Sequence, residues 1–123
     1  LLLDRSGNDL YSLWGVGQGC GHDLSVGILL DRSGDDHYRA DWLAMGAGNF
    51  NGIGIFEDAS GQDVYESDGD GVGGSGTPAR DYGSIGLFVD REGEDAYSGP
   101  GVSGAIWTKG LCGAGVDLPV IEP

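Results

Sequence analysis

A segment of eleven residues occurs four times in this chain, and no reading of the fold can ignore it. The copies are Leu1 to Tyr11 (LLLDRSGNDLY), Ile28 to Tyr38 (ILLDRSGDDHY), Ile55 to Tyr65 (IFEDASGQDVY) and Leu87 to Tyr97 (LFVDREGEDAY). Each opens on two apolar residues and then carries Asp, Gly three residues later, Asp five later and Tyr seven later. The first Asp falls at 4, 31, 58 and 90, so the steps are 27, 27 and 32 residues. A fixed period in this range is the signature of a repeat architecture. Each repeat is too small to bury its apolar face alone and must stack on its neighbours.

Within a repeat, the residues point to short strands joined by turns. Asp-x-x-Gly suits a type I turn closed by Gly in the left-handed region, with the Asp side chain accepting from the turn's own N–H groups. The runs after each Tyr place Gly or Ala at every second position, as in Trp14-Gly15-Val16-Gly17-Gln18-Gly19-Cys20-Gly21, which reads as a strand pressed against another backbone. Val26, Ile28 and Leu30 on one face with Leu29 on the other read as a strand apolar on both sides, as in a buried parallel sheet. The fold expected is all-β: a short parallel β-solenoid of about four coils of 27 residues over 1–110, starting near 1, 28, 55 and 87. A meander of β-hairpins or a small propeller is the alternative, since Asp-x-x-Gly also turns hairpins. The extra residues of the third repeat are expected as a surface loop at Gly74 to Pro78. Residues 111–123 lose the Gly turn and read as a cap or linker rather than a fifth coil, although Asp117 again follows Asp90 by 27.

Composition narrows the function. Twenty acidic residues against six basic ones give a net charge of −14, which repels nucleic acid and anionic membranes and favours cations or basic partners. A hydrophobic share of 39% is too high for a disordered acidic tail, and no apolar run is long enough to span a membrane as a helix. The chain opens directly on a repeat, which suggests a processed or truncated piece of something longer. Cys20 and Cys112 occupy different places in the period. Rungs of about 4.8 Å would set them roughly 14 Å apart along the stack, beyond disulfide reach, so both are expected as free thiols. No nucleophile elbow, P-loop or Cys-x-x-Cys is present, and no catalytic residue is nominated.

Stacking the repeats would put Asp4, Asp31, Asp58 and Asp90 in one column and Asp9, Asp36, Asp63 and Asp95 in a second. Like charges about 5 Å apart repel by roughly 1 kcal/mol in water and by several-fold more where partly buried. A hard divalent cation with oxygen ligands would relieve this, and calcium accepts carboxylates at flexible geometry. The competing reading needs no metal: Arg5, Arg32 and Arg91 follow the first Asp in three repeats and could form an Asp–Arg ladder, or that Asp could serve only as a turn cap. Asp68 and Asp70 could add a separate acidic loop. Tyr11, Tyr38, Tyr65 and Tyr97 form a third column, expected as a stacked ladder whose hydroxyls reach water or backbone, with a carbohydrate-binding strip as the lesser alternative. Trp14 and Trp42 lie near one another in the period; packing is the default for them, and they are the candidates for docking a protein partner or for self-association.

The segment Gly7-Asn8-Asp9-Leu10-Tyr11 and its three later copies resemble the glycine- and aspartate-rich calcium-binding repeats of secreted bacterial proteins, the RTX nonapeptide type, with Tyr where that family prefers Leu or Ile. The doubled Gly of that motif is missing, and one matching segment occurs per 27 residues, so a coil would hold three nines with one matching corner. The resemblance implies a β-solenoid with calcium bound at Gly-rich turns between coils. The function expected is a non-enzymatic, calcium-stabilised module, a rigid spacer or adhesion segment of a secreted or surface protein. A metal-independent solenoid subunit that docks onto a larger assembly is the alternative.

Overall fold

The computed structural model describes residues 1–69, 72–78 and 83–120. Among these the chain forms strands and no helix. The first coil holds β1 (Leu2–Leu3), β2 (Leu10–Gly15) and β3 (Gly21–His22), and the second holds β4 (Val26–Asp31), β5 (His37–Trp42) and β6 (Gly48–Asn49). The third holds β7 (Ile53–Asp58), β8 (Val64–Glu66) and β9 (Gly76–Thr77). In the fourth, β10 (Ile85–Gly93) and β11 (Ala96–Ser98) are followed by β12 (Ile106–Thr108) and β13 (Gly113–Pro119). Like strands of successive coils pair in parallel, which makes a β-solenoid of about four turns rather than a meander of hairpins; antiparallel pairing among the described residues is confined to β12 and β13. The register follows the repeat: Leu2 faces Leu29, Val26 faces Ile53, and Ile53 faces Ile85.

Three sheets result, ordered β1-β4-β7-β10-β13-β12, β2-β5-β8-β11 and β3-β6-β9. Leu29, Phe56 and Phe88 point inward from the first sheet and meet Tyr38 and Tyr65 from the second. The Phe56 and Phe88 rings stack at 4.9 Å, Tyr38 and Tyr65 stack at 5.3 Å, and the two ladders meet edge to face, with Tyr38 to Phe56 at 4.8 Å. Ring spacings near the rung distance of a sheet mean that one backbone repeat sets both.

Several sequence expectations are corrected. The Gly-rich run after β2 is a corner, not a strand: Val16, Gln18 and Gly19 sit at φ of 58°, 47° and 78°, and Leu43, Met45 and Gly46 repeat this at 42°, 48° and 79°. The close backbone approach is real. A Cβ on Gly21 would run into Ile53 O, and one on Gly48 into Ile85 O. The corner Gly of the repeat takes a positive φ only in the first two copies, 156° at Gly7 and 158° at Gly34. Gly61 and Gly93 keep ordinary φ, and they are needed because a Cβ would meet the carbonyl of the same Gly one coil earlier, Gly34 O and Gly61 O respectively. β4 is not apolar against core on both sides: Leu29 is buried, while Val26, Ile53 and Ile85 form an outer stripe exposed by 59%, 38% and 53%.

The expected loop at Gly74 to Pro78 is instead largely interior. Gly74 and Ser75 are buried, and Gly76–Thr77 is the strand β9, paired with β6. Gly76 lies nine residues before Ile85, where Gly48 lies five before Ile53, so most of the insertion falls after β9. Residues 111–120 do not leave the repeat. β13 adds a fifth rung with Asp117 beside Asp90, and β12 folds back antiparallel as the cap. Asp70 of the suggested acidic loop and residues 121–123 of the tail lie outside the described residues; Asp68 is exposed.

Both thiols are free. Cys112 is exposed, while burial pushes the Cys20 thiol up to about 11. In native protein near pH 8, one thiol is expected to react promptly with an aromatic disulfide reagent, and the second only on unfolding. Equal rates for the two would contradict this placement of Cys20.

Candidate metal centre

The first Asp of the repeat sits on the six-stranded sheet: Asp4 directly follows β1, Asp31 and Asp58 end β4 and β7, and Asp90 lies within β10. Asp31, Asp58, Asp90 and Asp117 stand in direct register, and all are buried. Their Oδ1 atoms cap the turn, as the sequence suggested: Asp31, Asp58 and Asp90 accept from the N–H of Ser33, Ser60 and Glu92 at 3.3, 3.1 and 3.2 Å. Asp4 accepts from Arg5 and Ser6, and the Ser6 and then the Arg5 N–H hold its carboxyl below the usual range.

The Oδ2 atoms are taken by the Tyr column, whose hydroxyls were expected to reach water or backbone. Tyr11 donates to Asp31, Tyr38 to Asp58, Tyr65 to Asp90 and Tyr97 to Asp117, at 2.7, 2.7, 2.6 and 2.7 Å. Every donor lies one coil before its acceptor, so the tyrosines latch coil to coil. This latch is written in the sequence as Tyr and Asp 20 residues apart, or 25 across the third repeat, a spacing that becomes meaningful only once stacking is known.

The second Asp column works differently. Asp36, Asp63 and Asp95 each accept, through Oδ1, the backbone N–H of the matching Asp one coil earlier: Asp9, Asp36 and Asp63 at 2.6, 2.7 and 2.7 Å. Their Oδ2 atoms are buried and have no hydrogen-bond partner. Two acidic trios result, Asp36 with Asp58 and Asp63, and Asp63 with Asp90 and Asp95; in each, one oxygen per residue lies within 4.8 Å of the others. Five of the eight expected ligands are thus brought together, while Asp4, Asp9 and Asp31 belong to neither trio. Asp117 belongs to the first column and was missed as a candidate, although its 27-residue spacing from Asp90 signalled it.

Among the described residues, arginine does not neutralise these columns. Arg91 pairs with Glu57 at 2.8 Å and Arg39 approaches Glu66 at 4.0 Å, and among the described residues no guanidinium pairs with a ladder carboxylate. Burial is the main reason that Asp58 and Asp90 are pushed up to about 7 and Asp63 to about 8, with neighbouring carboxylates adding to it and hydrogen bonds opposing. Burial also raises Asp36 and Asp95. An isolated carboxylate in such a place is heavily penalised, so the trios must carry protons or a cation. The donor set is oxygen only, with neither Cys nor His in either trio, which fits a hard cation better than zinc or copper.

Apart from this, Trp14 and Trp42 form an exposed aromatic pair with ring centroids 5.7 Å apart, and His22 bridges Trp42 to Phe50 at 6.4 and 5.3 Å. Among the described residues no helix is long and apolar enough to cross a membrane. No family model, no curated protein and no solved structure matches the chain.

Proposed function

We propose that this chain is a non-enzymatic repeat module whose coils are tied together by calcium, serving as a rigid spacer or adhesion segment of a secreted or surface protein. The observation that carries the reading is the set of unpartnered, buried Oδ2 atoms of Asp36, Asp63 and Asp95, members of acidic trios that span consecutive coils. A cation there would draw ligands from coils two and three at the first trio and from three and four at the second. Binding would therefore stiffen the stack along its axis. Calcium is favoured over magnesium because it accepts irregular oxygen sets, and extracellular modules bind it at about 10⁻⁴ to 10⁻³ M, in keeping with an exterior setting.

Thermal unfolding followed by circular dichroism near pH 8, with excess calcium and with chelator, tests this. A cation bound only by the folded state at a hundred times its Kd adds about 2.7 kcal/mol per site. The midpoint is expected to rise by several degrees or more in calcium. An unchanged midpoint would remove the metal reading and leave the second one, a metal-independent subunit docked on a larger assembly. That reading is favoured by the outer stripe of Val26, Ile53 and Ile85 and by the exposed Trp14 and Trp42.

A further inference from the structure

Side chains alternate along a strand, so each sheet of the stack turns one face to the core and one outward. On the four-stranded sheet Tyr38 and Tyr65 point inward, and the outer positions carry His37, Arg39, Glu66 and Ser98 beside Val64 and Ala96. His37 and Arg39 approach Glu66 there at 3.0 and 4.0 Å, the polar exterior of a sheet that meets water on one side.

The six-stranded sheet is apolar on its outer side as well. Beside the exposed stripe of Val26, Ile53 and Ile85, Ile28 stands in register with Ile55 and Leu87, and Leu30 with Glu57 and Val89. These positions alternate with Leu29, Phe56 and Phe88, which fill the core, so they face away from it. Glu57 is the one charge in the three columns, and Arg91 neutralises it at 2.8 Å. β13 continues the face with Ala114 and Val116. A parallel sheet that reads apolar on both faces is one that is covered on both. The face runs along the stack axis, so a further coil at either end would lengthen it and cover none of it.

We infer that this outer face is a homodimer interface, on which a second copy of the chain lays the same face across a two-fold axis. Such an interface is isologous, each copy offering the patch it receives. Size is sufficient. Five strands about 4.8 Å apart, from β4 to β12, and about 20 Å long present roughly 480 Å² of flat area per copy, so a pair buries on the order of 1,000 Å² or more, the threshold of a specific interface. Composition selects the occupant. The three columns are aliphatic with one internal ion pair and no aromatic anchor, which is the make-up of a core cut in half, whereas contacts between unlike proteins centre on Trp, Tyr and Arg. Charge agrees: each copy carries −14 overall, and this face, with Glu57 paired, is where two such chains can touch without opposing carboxylates. None of these residues belongs to an acidic trio, so the inference stands or falls apart from the calcium reading.

Sedimentation of the full chain, once in calcium and once in chelator, tests this. At about 10 μM, wild type is expected at twice the chain mass of 12.7 kDa in both conditions, and Ile55→Glu at the monomer mass. Glu57 already occupies the next outward position of β7, so a carboxylate at 55 is compatible with the strand. Should Ile55→Glu lose its near-ultraviolet circular dichroism, Ile55→Thr keeps the β-branch and is expected to weaken the dimer at least about tenfold. Val64→Glu, on the outside of the four-stranded sheet, should leave the dimer intact. Raising salt from about 0.02 to about 0.5 M should tighten association, because it screens the repulsion of two acidic chains and takes nothing from an apolar contact. A wild-type chain that stays monomeric at about 100 μM in both conditions would overturn the proposal. So would a dimer that survives Ile55→Glu and is lost in Trp42→Ala, or monomers that bind neutral phosphatidylcholine vesicles through this face, since the occupant would then be a bilayer.

Discussion

Phe56→Ala is expected to lower the unfolding free energy by about 3–5 kcal/mol, enough to threaten folding at 37 °C in a domain of ordinary stability. Phe56 is fully buried at the crossing of both aromatic ladders: it stacks on Phe88 at 4.9 Å and meets the edges of Tyr38 and Tyr65 at 4.8 and 5.9 Å. The hole left by alanine has rigid walls. The backbone rungs that set the ring spacing are held by parallel pairing on both sides of β7, so neighbours cannot collapse into the space. Urea unfolding should show a large drop in midpoint at unchanged slope, since the surface exposed on unfolding hardly changes. Trp14→Ala, at a ring 72% exposed, is the control and should stay within about 0.5 kcal/mol. A loss under about 1 kcal/mol for Phe56→Ala would mean that the aromatic ladder does not hold the coils.

The repeat made the solenoid legible because a period of 27 and a register are the same information once strands stack. Hence the two Asp columns and the Tyr column could be placed before any coordinates, and stacking did bring Asp36, Asp58, Asp63, Asp90 and Asp95 together. What the repeat could not reveal was the offset of side chains along the axis. Tyr38 and Asp58 belong to neighbouring coils and look unrelated in sequence, yet their bond decides that Asp58 has both oxygens occupied while Asp63 keeps one free. The Gly-rich corner misled for a physical reason. Gly at alternate positions signals close backbone approach in either a strand or a corner, and the left-handed conformations of Val16 and Gln18, which neither residue favours intrinsically, come from packing. Gly113 and Gly115 hid a fifth rung, because glycine there makes room for Gly74 O and the Trp107 indole rather than weakening a strand.

The fall of stability with rising pH should be steep without calcium and offset by calcium. Asp58 and Asp90 are held near 7 and Asp63 near 8 in the folded chain, against 3.8 for a free Asp side chain, mainly because burial penalises the charge. A raised carboxyl keeps its proton in the fold and releases it on unfolding. Its contribution to stability is therefore complete below about pH 4 and is lost as pH rises through 7 to 8. In chelator, the thermal midpoint should fall by about 10 °C or more between pH 5 and pH 8, since one carboxyl ionised three units below its folded pKa costs about 4 kcal/mol. Excess calcium competes with those protons, so its stabilising increment should be near zero at pH 5 and largest at pH 8. Asp63 is shared by both trios, which makes Asp63→Asn the decisive variant: its amide oxygen can still accept the Asp36 N–H, but it neither ionises nor supplies a charged ligand. That variant should flatten the pH profile in chelator and lose most of the calcium increment at pH 8. A wild-type midpoint flat from pH 5 to 8 in chelator would show that the trios ionise freely, and the need for a cation between the coils would vanish with the penalty that created it.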